Sequence, residues 1–575
     1  MRSHHPSVWR LVRAFPLLAL LLLAGCRFSP HVWVFERTGE EELAGQVRGL
    51  LQRGTDFLHP QPDTASHASI PHAGVNPFGI NVFLHQEVEE RKREQSLEMI
   101  ADAGFAWIRQ EFPWEDIEIH GKADFVDRRN DVDGDGKPDP IDAWAKYDNI
   151  VSLSNEHGLD VIARLSNPPA WTRELTNTVG TYAPPDDLSD WGDFVYEVVS
   201  RYKGRIQYYQ LWNEPNVYPE WGEQPVDPEG YTALLCEGYR RAKEADPNVV
   251  VISGALAPTV SLSPGPGPAR GVSDFVFLQR MYDAGAADCF DILSVNDYML
   301  WSGPTDRRMR PLNINFSRPV YIRDIMVANG DADKPIWIGE MNANAVPNRP
   351  SIADIGAYGQ VTLEEQARYA PLAYQRLQEE WPWAGVASFW FFKRADDRER
   401  NQAMYYFRMV EPDFTPMPVY ESMKEYATSV APTLYSGAHQ EDHWGLTYAG
   451  GWERVGAEGG GGAGYRRSVA EGASLSFAFE GSRLTLVPGP DDGEVSVRLD
   501  GKAFGRVSLN GEPVQLARGW RQKRHDVTLS GVNGVFSVDE LIVESPWRPS
   551  RGSVLGAVGV VVLLGWLSTC IRHRR

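Results

Sequence analysis

Two glutamates in this chain each end an apolar run, and two such carboxyls together can cleave a glycosidic bond. Glu214 closes the stretch Tyr208-Tyr209-Gln210-Leu211-Trp212-Asn213-Glu214-Pro215-Asn216. Residues 206–212 are rich in aromatic and aliphatic side chains and carry no charge, as expected of a strand buried in a parallel sheet. Pro215 cannot donate to a ladder and disfavours helix at the residue before it, so the strand stops there. Glu340 closes a second such run, Pro335-Ile336-Trp337-Ile338-Gly339-Glu340-Met341-Asn342. One carboxyl must stay protonated to donate to the leaving oxygen. The other must be ionised to attack, or to activate water.

These glutamates need elements that bring them face to face, and the surrounding pattern supplies them. Strands are expected at 78–84, 105–112, 159–165, 206–212, 249–255, 291–295, 335–339 and 385–392, the second carrying Arg109 and Glu111. Helices are expected between them. One is near 89–103, one near 144–157, and a third has Trp191, Phe194, Val195, Val198, Val199 and Tyr202 at helical spacing. Asp227-Pro228 reads as the cap and first residue of another, and Thr362 with Glu365 as a capping box. Eight alternations predict a (β/α)8 TIM barrel over 71–430, with active residues at the strands' carboxyl ends. Strands four and seven lie opposite each other across the mouth, so Glu214 should face Glu340. Beyond it, short alternating runs at 474–479, 483–487, 494–499, 527–529 and 541–543, separated by Gly, Asp and Asn turns, predict a β-sandwich over 437–546.

The chain's ends predict membrane traffic. Arg2, Arg10 and Arg13 precede the apolar run 15–24, and residues 1–28 hold no Asp or Glu, the layout of a signal peptide. Leu23-Ala24-Gly25-Cys26 also resembles a lipoprotein box that would lipidate Cys26, so both processing routes stay open. Residues 553–571 are uncharged, precede Arg572-His573-Arg574-Arg575, and are long enough to be a C-terminal transmembrane helix with a cytoplasmic basic tail. The bulk of the chain is then extracytoplasmic. Residues 29–70 read as a stalk with one short helix near 40–51, carrying Leu43, Val47 and Leu50 on one face. With 57 Lys and Arg against 77 Asp and Glu, the chain lacks the basic balance of a nucleic-acid binder. Of the four cysteines, Cys236 and Cys289 lie in the folded part. The strand reading sets them towards opposite ends of a barrel, which predicts two buried thiols rather than a disulfide.

A second constellation is Asp131-Val132-Asp133-Gly134-Asp135-Gly136-Lys137-Pro138-Asp139-Pro140-Ile141-Asp142. Its acids Asp131, Asp133, Asp135, Asp139 and Asp142 recur at the spacing of an EF-hand-like loop, with Gly136 at the turn and the Lys137 carbonyl at the seventh position. Asp rather than Glu at the last position is more like dockerin loops. The pattern predicts a structural Ca2+ and no catalytic cofactor.

In strand order and at Asn213-Glu214-Pro215 and Glu340, the barrel resembles the clan A glycoside hydrolases, broadly families 5 and 39. That resemblance implies that Glu214 is the acid/base, Glu340 the nucleophile, and the mechanism retaining, with the carboxyls roughly 5–5.5 Å apart. It further implies that Asn213 binds the sugar 2-hydroxyl, that Arg109 lies near the nucleophile, and that Tyr298 bonds to it. The usual His-x-Tyr of strand six reads Asn296-Asp297-Tyr298 here, so Asn296 replaces a histidine contact. Trp390 matches a sugar-stacking position, and Asn167 and Trp171 are further substrate-binding candidates. The sandwich resembles galactose-binding-like jelly rolls; a sugar-binding module and a plain spacer both fit. The expected partner is an extracellular carbohydrate. The competing function is a non-catalytic carbohydrate-binding or structural surface protein on the same barrel.

Overall fold

The computed structural model describes residues 29–56, 58–131, 136–137, 139–173, 182–265, 270–456 and 464–545. The expected signal peptide with Cys26, the expected span 553–571, and Asp133 and Asp135 lie outside these residues. No helix among the described residues is long and apolar enough to cross a membrane.

Eight parallel strands form the barrel: β1 (Phe78–Val82), β2 (Trp107–Pro113), β3 (Asp160–Ser166), β4 (Tyr208–Asn213), β5 (Val250–Ala255), β6 (Leu293–Asn296), β7 (Ile336–Met341) and β8 (Ala384–Phe389). Their order is β6-β7-β8-β1-β2-β3-β4-β5, and bridges from Ile252 to Ile292 and from Leu256 to Val295 close the ring. At that seam the Ser253 hydroxyl accepts the Ser294 N–H at 2.9 Å, standing in for a ladder carbonyl. The helices between successive strands are α3 (Glu90–Asp102), α4 (Ala145–Glu156), α5 (Leu188–Arg201), α6 (Pro228–Ala245), α7 (Asp274–Asp283), α8 (Arg318–Ala328), α9 (Leu363–Glu380) and, after β8, α10 (Pro418–Ser429). The capping box on α9 is present, with Thr362 and Glu365 each accepting the other's backbone N–H.

The barrel interior is layered. Trp107, Tyr208 and Trp337 plug the amino-terminal end, Trp337 lying 5.3 Å from Trp107 and 5.0 Å from Tyr208 between ring centres. Both indoles donate to the segment crossing beneath, Trp337 to the His72 carbonyl at 2.9 Å and Trp107 to that of Asn76 at 2.8 Å. This end is sealed, so access is from the other.

The sandwich docks below that seal. Its larger sheet pairs β9 (Gly437–Gln440), β10 (Thr447–Ala449), β13 (Ser474–Val487), β14 (Asp492–Leu499), β15 (Lys502–Asn510), β16 (Val514–Gly534) and β18 (Glu540–Glu544), and a smaller one pairs β11 (Trp452–Val455), β12 (Tyr465–Ser468) and β17 (Ser537–Val538). Two expected strands, 474–479 and 483–487, are one bent strand with a register shift after Gly481. The Trp444 N–H donates to the Gly74 carbonyl at 2.7 Å, and its ring meets Phe78 at the start of β1, 6.1 Å away. The sandwich therefore covers the end of the barrel opposite the glutamates.

Two findings correct the sequence reading. Cys236 and Cys289 form a disulfide, with Cα atoms 4.7 Å apart. Cys236 lies at the middle of α6, and the chain before β6 makes a short helical turn, Ala286–Cys289, that packs against α6 instead of passing beneath the barrel. The stalk is also replaced over its first half by a helix pair, α1 (Pro30–Thr38) and α2 (Leu43–Asp56), docked on the barrel flank. Arg308 meets Glu40 at 2.8 Å and Arg310 meets Asp56 at 3.0 Å, while Phe35 stacks on Tyr369. The docked face of α2 carries Gly45, Gln46, Gly49 and Asp56, and Leu43, Val47 and Leu50 point outward. Gly49 permits the two helices to approach each other, because a Cβ there would sit 2.8 Å from the Thr38 side chain of α1.

In the proposed calcium loop, Asp131 accepts the Gly136 N–H at 2.8 Å, and Asp142, in a two-residue ribbon with Val126, accepts the Trp144 N–H at 2.9 Å. Among the described residues, which include Asp131, Lys137, Asp139 and Asp142, no group of three or more acidic, His or Cys side chains is arranged to hold a metal.

Candidate active site

Arg109 is the hub of the site. It is the third residue of β2, points inward and is almost wholly buried. Its Nε donates to Gln210 Oε1 at 2.6 Å, and its Nη1 to Asn81 Oδ1 at 2.7 Å and Glu340 Oε1 at 3.0 Å. Its Nη2 donates to Asn213 Oδ1 at 2.8 Å. Three strands, β1, β4 and β7, thus converge on one guanidinium from β2, whose fixed fork sets the geometry of whatever it binds.

Glu340, in β7, accepts from Arg109 on one oxygen and from the Tyr298 hydroxyl on the other, at 2.5 Å. Burial, then the Glu340 charge, pushes the Tyr298 phenol well up, so it stays a donor. Glu214 stands one residue beyond β4. Trp212 and Glu214 both take left-handed backbone, φ 82° and 41°, which costs side-chain-bearing residues energy and is held here by surrounding bonds. The Glu214 N–H donates to the Ala255 carbonyl at 2.9 Å, and Trp212 Nε1 to the Glu220 carbonyl at 2.8 Å. The Glu214 carboxylate accepts from Asn296 Nδ2 at 2.6 Å. Burial first, then the Glu340 charge, pushes its pKa up to about 7. Asn296 Oδ1 is buried and has no protein partner.

Of the sequence candidates, Glu340, Arg109, Asn213 and Tyr298 form one bonded group, and Glu214 with Asn296 a second, Asn296 lying in register with Glu340 on the neighbouring strand. Trp390, just past β8, is half-buried and edge-on to Phe83, 5.5 Å between ring centres. Asn167 Oδ1 accepts from Ser166, whose hydroxyl also lies 3.2 Å from Glu111, so Asn167 borders the neighbouring layer. Trp171 is placed differently from the expectation. It packs against Trp114 and donates to the Glu118 carbonyl at 2.9 Å, in the outer packing of the loops after β2 and β3.

Several functional residues escaped the sequence reading. Asn81 and Gln210 fix Arg109, and Asn81 also donates to the Gly339 carbonyl at 2.9 Å. Glu111 pairs with Arg164 at 2.6 Å; burial opposes its ionisation, but the Arg164 guanidinium holds it below the usual range. Burial lowers His85 to about 4, so its 3.7 Å approach to Glu111 is made as a neutral ring. Glu220 is a third carboxyl in the field of Glu214, raised to about 8 by burial first and by that charge second. Asn81, Gln210 and Arg164 had a readable signal, since each is a polar residue inside an otherwise apolar strand. Glu220 had none.

No protein-family model matches the chain, and no curated protein does. Among solved structures it is similar to a family 39 glycoside hydrolase from the gut symbiont Bacteroides cellulosilyticus WH2, at 18% identity over 84% of this chain and 83% of that one, with a TM-score of 0.46. It is similar to a monomeric beta-xylosidase from Caulobacter crescentus CB15, at 13% identity over 84% of this chain and 98% of that one, TM-score 0.42. A third is GH5_18 from Streptomyces cattleya in complex with GlcNAc, at 16% identity over 64% of this chain and 83% of that one, TM-score 0.45.

Proposed function

We propose that the chain is a retaining glycoside hydrolase acting outside the cytoplasm. One observation carries the reading. At one end of the barrel, Glu340 accepts from Arg109 and Tyr298, while Glu214 has its pKa raised to about 7 and keeps a proton to give. Two neighbouring carboxyls in unlike surroundings, one of them raised, are the usual mark of an acid and a nucleophile.

In this mechanism Glu340 attacks the anomeric carbon while Glu214 delivers its proton to the departing oxygen. Glu214 then takes a proton from the water that attacks the same carbon, and the Glu340 carboxylate leaves. The Arg109 bond to Asn213 Oδ1 turns that amide's nitrogen into a donor for the sugar 2-hydroxyl, a contact that strengthens in the transition state. Asn296 Oδ1 is ready to accept from a substrate hydroxyl. Trp390 offers an aromatic face beside Phe83. The sandwich, docked at the opposite end, takes no part in the cleft.

The disulfide suits an oxidising compartment. Extracytoplasmic placement and anchoring rest on the sequences of 15–24 and 553–571. The calcium reading of 131–142 rests on the spacing of its acids, and a fall in Tm on chelation tests it.

The test of the activity is hydrolysis of aryl β-glycosides by the chain, by Glu214→Ala and by Glu340→Ala. Loss in both, with azide restoring turnover of an activated substrate in Glu214→Ala alone, is the expected result. Sugar binding without turnover of any aryl or polymeric substrate would move the assignment to a carbohydrate-binding protein.

A further inference from the structure

Helix α2 carries its apolar side outward, the reverse of an ordinary surface helix. Leu43, Val47, Leu50 and Leu51 fall at i, i+4, i+7 and i+8, one face of α2. Leu43 is 72% exposed, Val47 54% and Leu51 71%, while the opposite face turns inward, Gly45 and Gly49 against Glu40 and Thr38 of the helix pair itself and Asp56 against Arg310 of the barrel. Beside them on α1, Trp33 is 39% exposed, with the Arg37 guanidinium 4.1 Å above its ring. A row of aliphatic side chains rimmed by tryptophan and arginine has the make-up of a helix lying in a bilayer interface.

The surrounding chain names the occupant. Ser29, the cap of α1, comes five residues after the apolar run 15–24, so the helix pair starts within about 18 Å of it. The other uncharged run, 553–571, begins eight residues after Ser545, a reach of about 28 Å. Both attachment points lie on one flank. Glu379 of α9 lines one cavity with Arg37 and Arg53 of the helix pair, and a second with Ser66 and Ser545. Whichever run enters the membrane, this flank is drawn to its surface.

We propose that α1 and α2 are a membrane-docking surface. They seat Trp33, Leu43, Val47, Leu50 and Leu51 in the lipid headgroup and upper acyl region and fix how the barrel sits on the bilayer. The proposal rests on the anchoring part of the functional reading but not on the glycosidase chemistry.

The test uses the full chain in vesicles of phosphatidylcholine and phosphatidylglycerol containing a phospholipid with a diazirine on its acyl chain. After irradiation, labelled peptides are mapped by mass spectrometry. Label is expected on residues 30–51 as well as on the inserted terminal run. In the triple variant Leu43→Ser, Val47→Ser and Leu51→Ser, label on 30–51 should be lost and label on the terminal run kept. These positions are exposed, so the variant's Tm should match the parent's. A chain that floats with the vesicles yet carries no label over 30–51 overturns the docking proposal and leaves anchoring intact. A chain that does not float overturns both. Crosslinks joining 30–51 of two chains in place of lipid label would instead make the patch an interface between copies.

Discussion

Replacing Asn296 by leucine should move the alkaline limit of activity upward. Asn296 Nδ2 donates to Glu214 at 2.6 Å and opposes the burial and the Glu340 charge that raise this carboxyl to about 7. The donor stabilises the anion, so its loss favours the protonated acid and the pKa rises. A hydrogen bond to a charged acceptor contributes about 1.5–3 kcal/mol, and 1.36 kcal/mol corresponds to about one pKa unit. Because part of that bond persists with the neutral acid, the expected rise is about one unit, towards pH 8. Leucine keeps asparagine's branching and heavy-atom count, with two methyl groups in place of the amide, and supplies no donor. Alanine would admit water, relieve desolvation and give a smaller rise. The assay is kcat/KM against pH on a substrate with a poor leaving group, since that profile reports free-enzyme ionisations. The plateau falls as well, because Asn296 Oδ1 no longer meets substrate. An alkaline limb that stays in place or moves down in Asn296→Leu would refute the assignment of Glu214 as the acid.

Three further outcomes follow from particular contacts. Gly339→Ala places a Cβ 2.9 Å from that of Ala255 and 3.0 Å from Asn296 Oδ1, so it should cost about 1–3 kcal/mol in a denaturant titration and lower kcat by displacing Asn296. Removing the Cys236–Cys289 bond as the double serine variant opens a 53-residue loop and should cost about 4 kcal/mol in unfolding free energy, read by chemical denaturation. Asp297 is buried with neither carboxyl oxygen hydrogen-bonded, and burial, only partly offset by Arg376 and Arg318, holds its pKa well up. Its folded pKa lies above its unfolded one, so the native state keeps a proton that the unfolded chain releases above about pH 4, and stability falls as pH rises from there. Asp297→Asn should flatten that slope in Tm measured from pH 4 to 8, and an unchanged slope would count against the buried acid.

The barrel was legible because each strand is a short apolar run ended by a turn, and every residue of β1, β4, β5, β7 and β8 is buried. The two glutamates were legible for the same reason, as charges at the ends of such runs. Contacts between strands were not. Nothing in the order Asn81, Arg109, Gln210, Asn213, Glu340 states that five side chains on β1, β2, β4 and β7 share one centre; only barrel closure brings them together. The disulfide was missed because a turn of four residues, Ala286–Cys289, decides where Cys289 lies. The helix near 40–51 was found with its apolar stripe, but a stripe does not say which side docks. Here Gln46 turns to the His31 and Glu40 carbonyls of the helix pair and Asp56 to Arg310 of the barrel, so polar partners select the inward face.

The division of labour between Glu214 and Glu340 shows where sequence stops and environment begins. Both are glutamates at strand ends in one barrel, so residue type cannot separate them. Glu340 lies within β7, opposite Asn296 in the β6 register, where Arg109 and Tyr298 reach both its oxygens. Glu214 lies one residue past β4, and the left-handed turn at Trp212 and at Glu214 itself carries its carboxyl away from the guanidinium to a single amide donor. One cation and one phenol favour charge on the first. One amide, in the field of that same charge, leaves the second poised to hold a proton. Shifting the chain by one residue at the end of β4 would put Glu214 in the place of Asn213, against Arg109. The backbone at Trp212 therefore sets the chemistry of Glu214 as much as the carboxyl does.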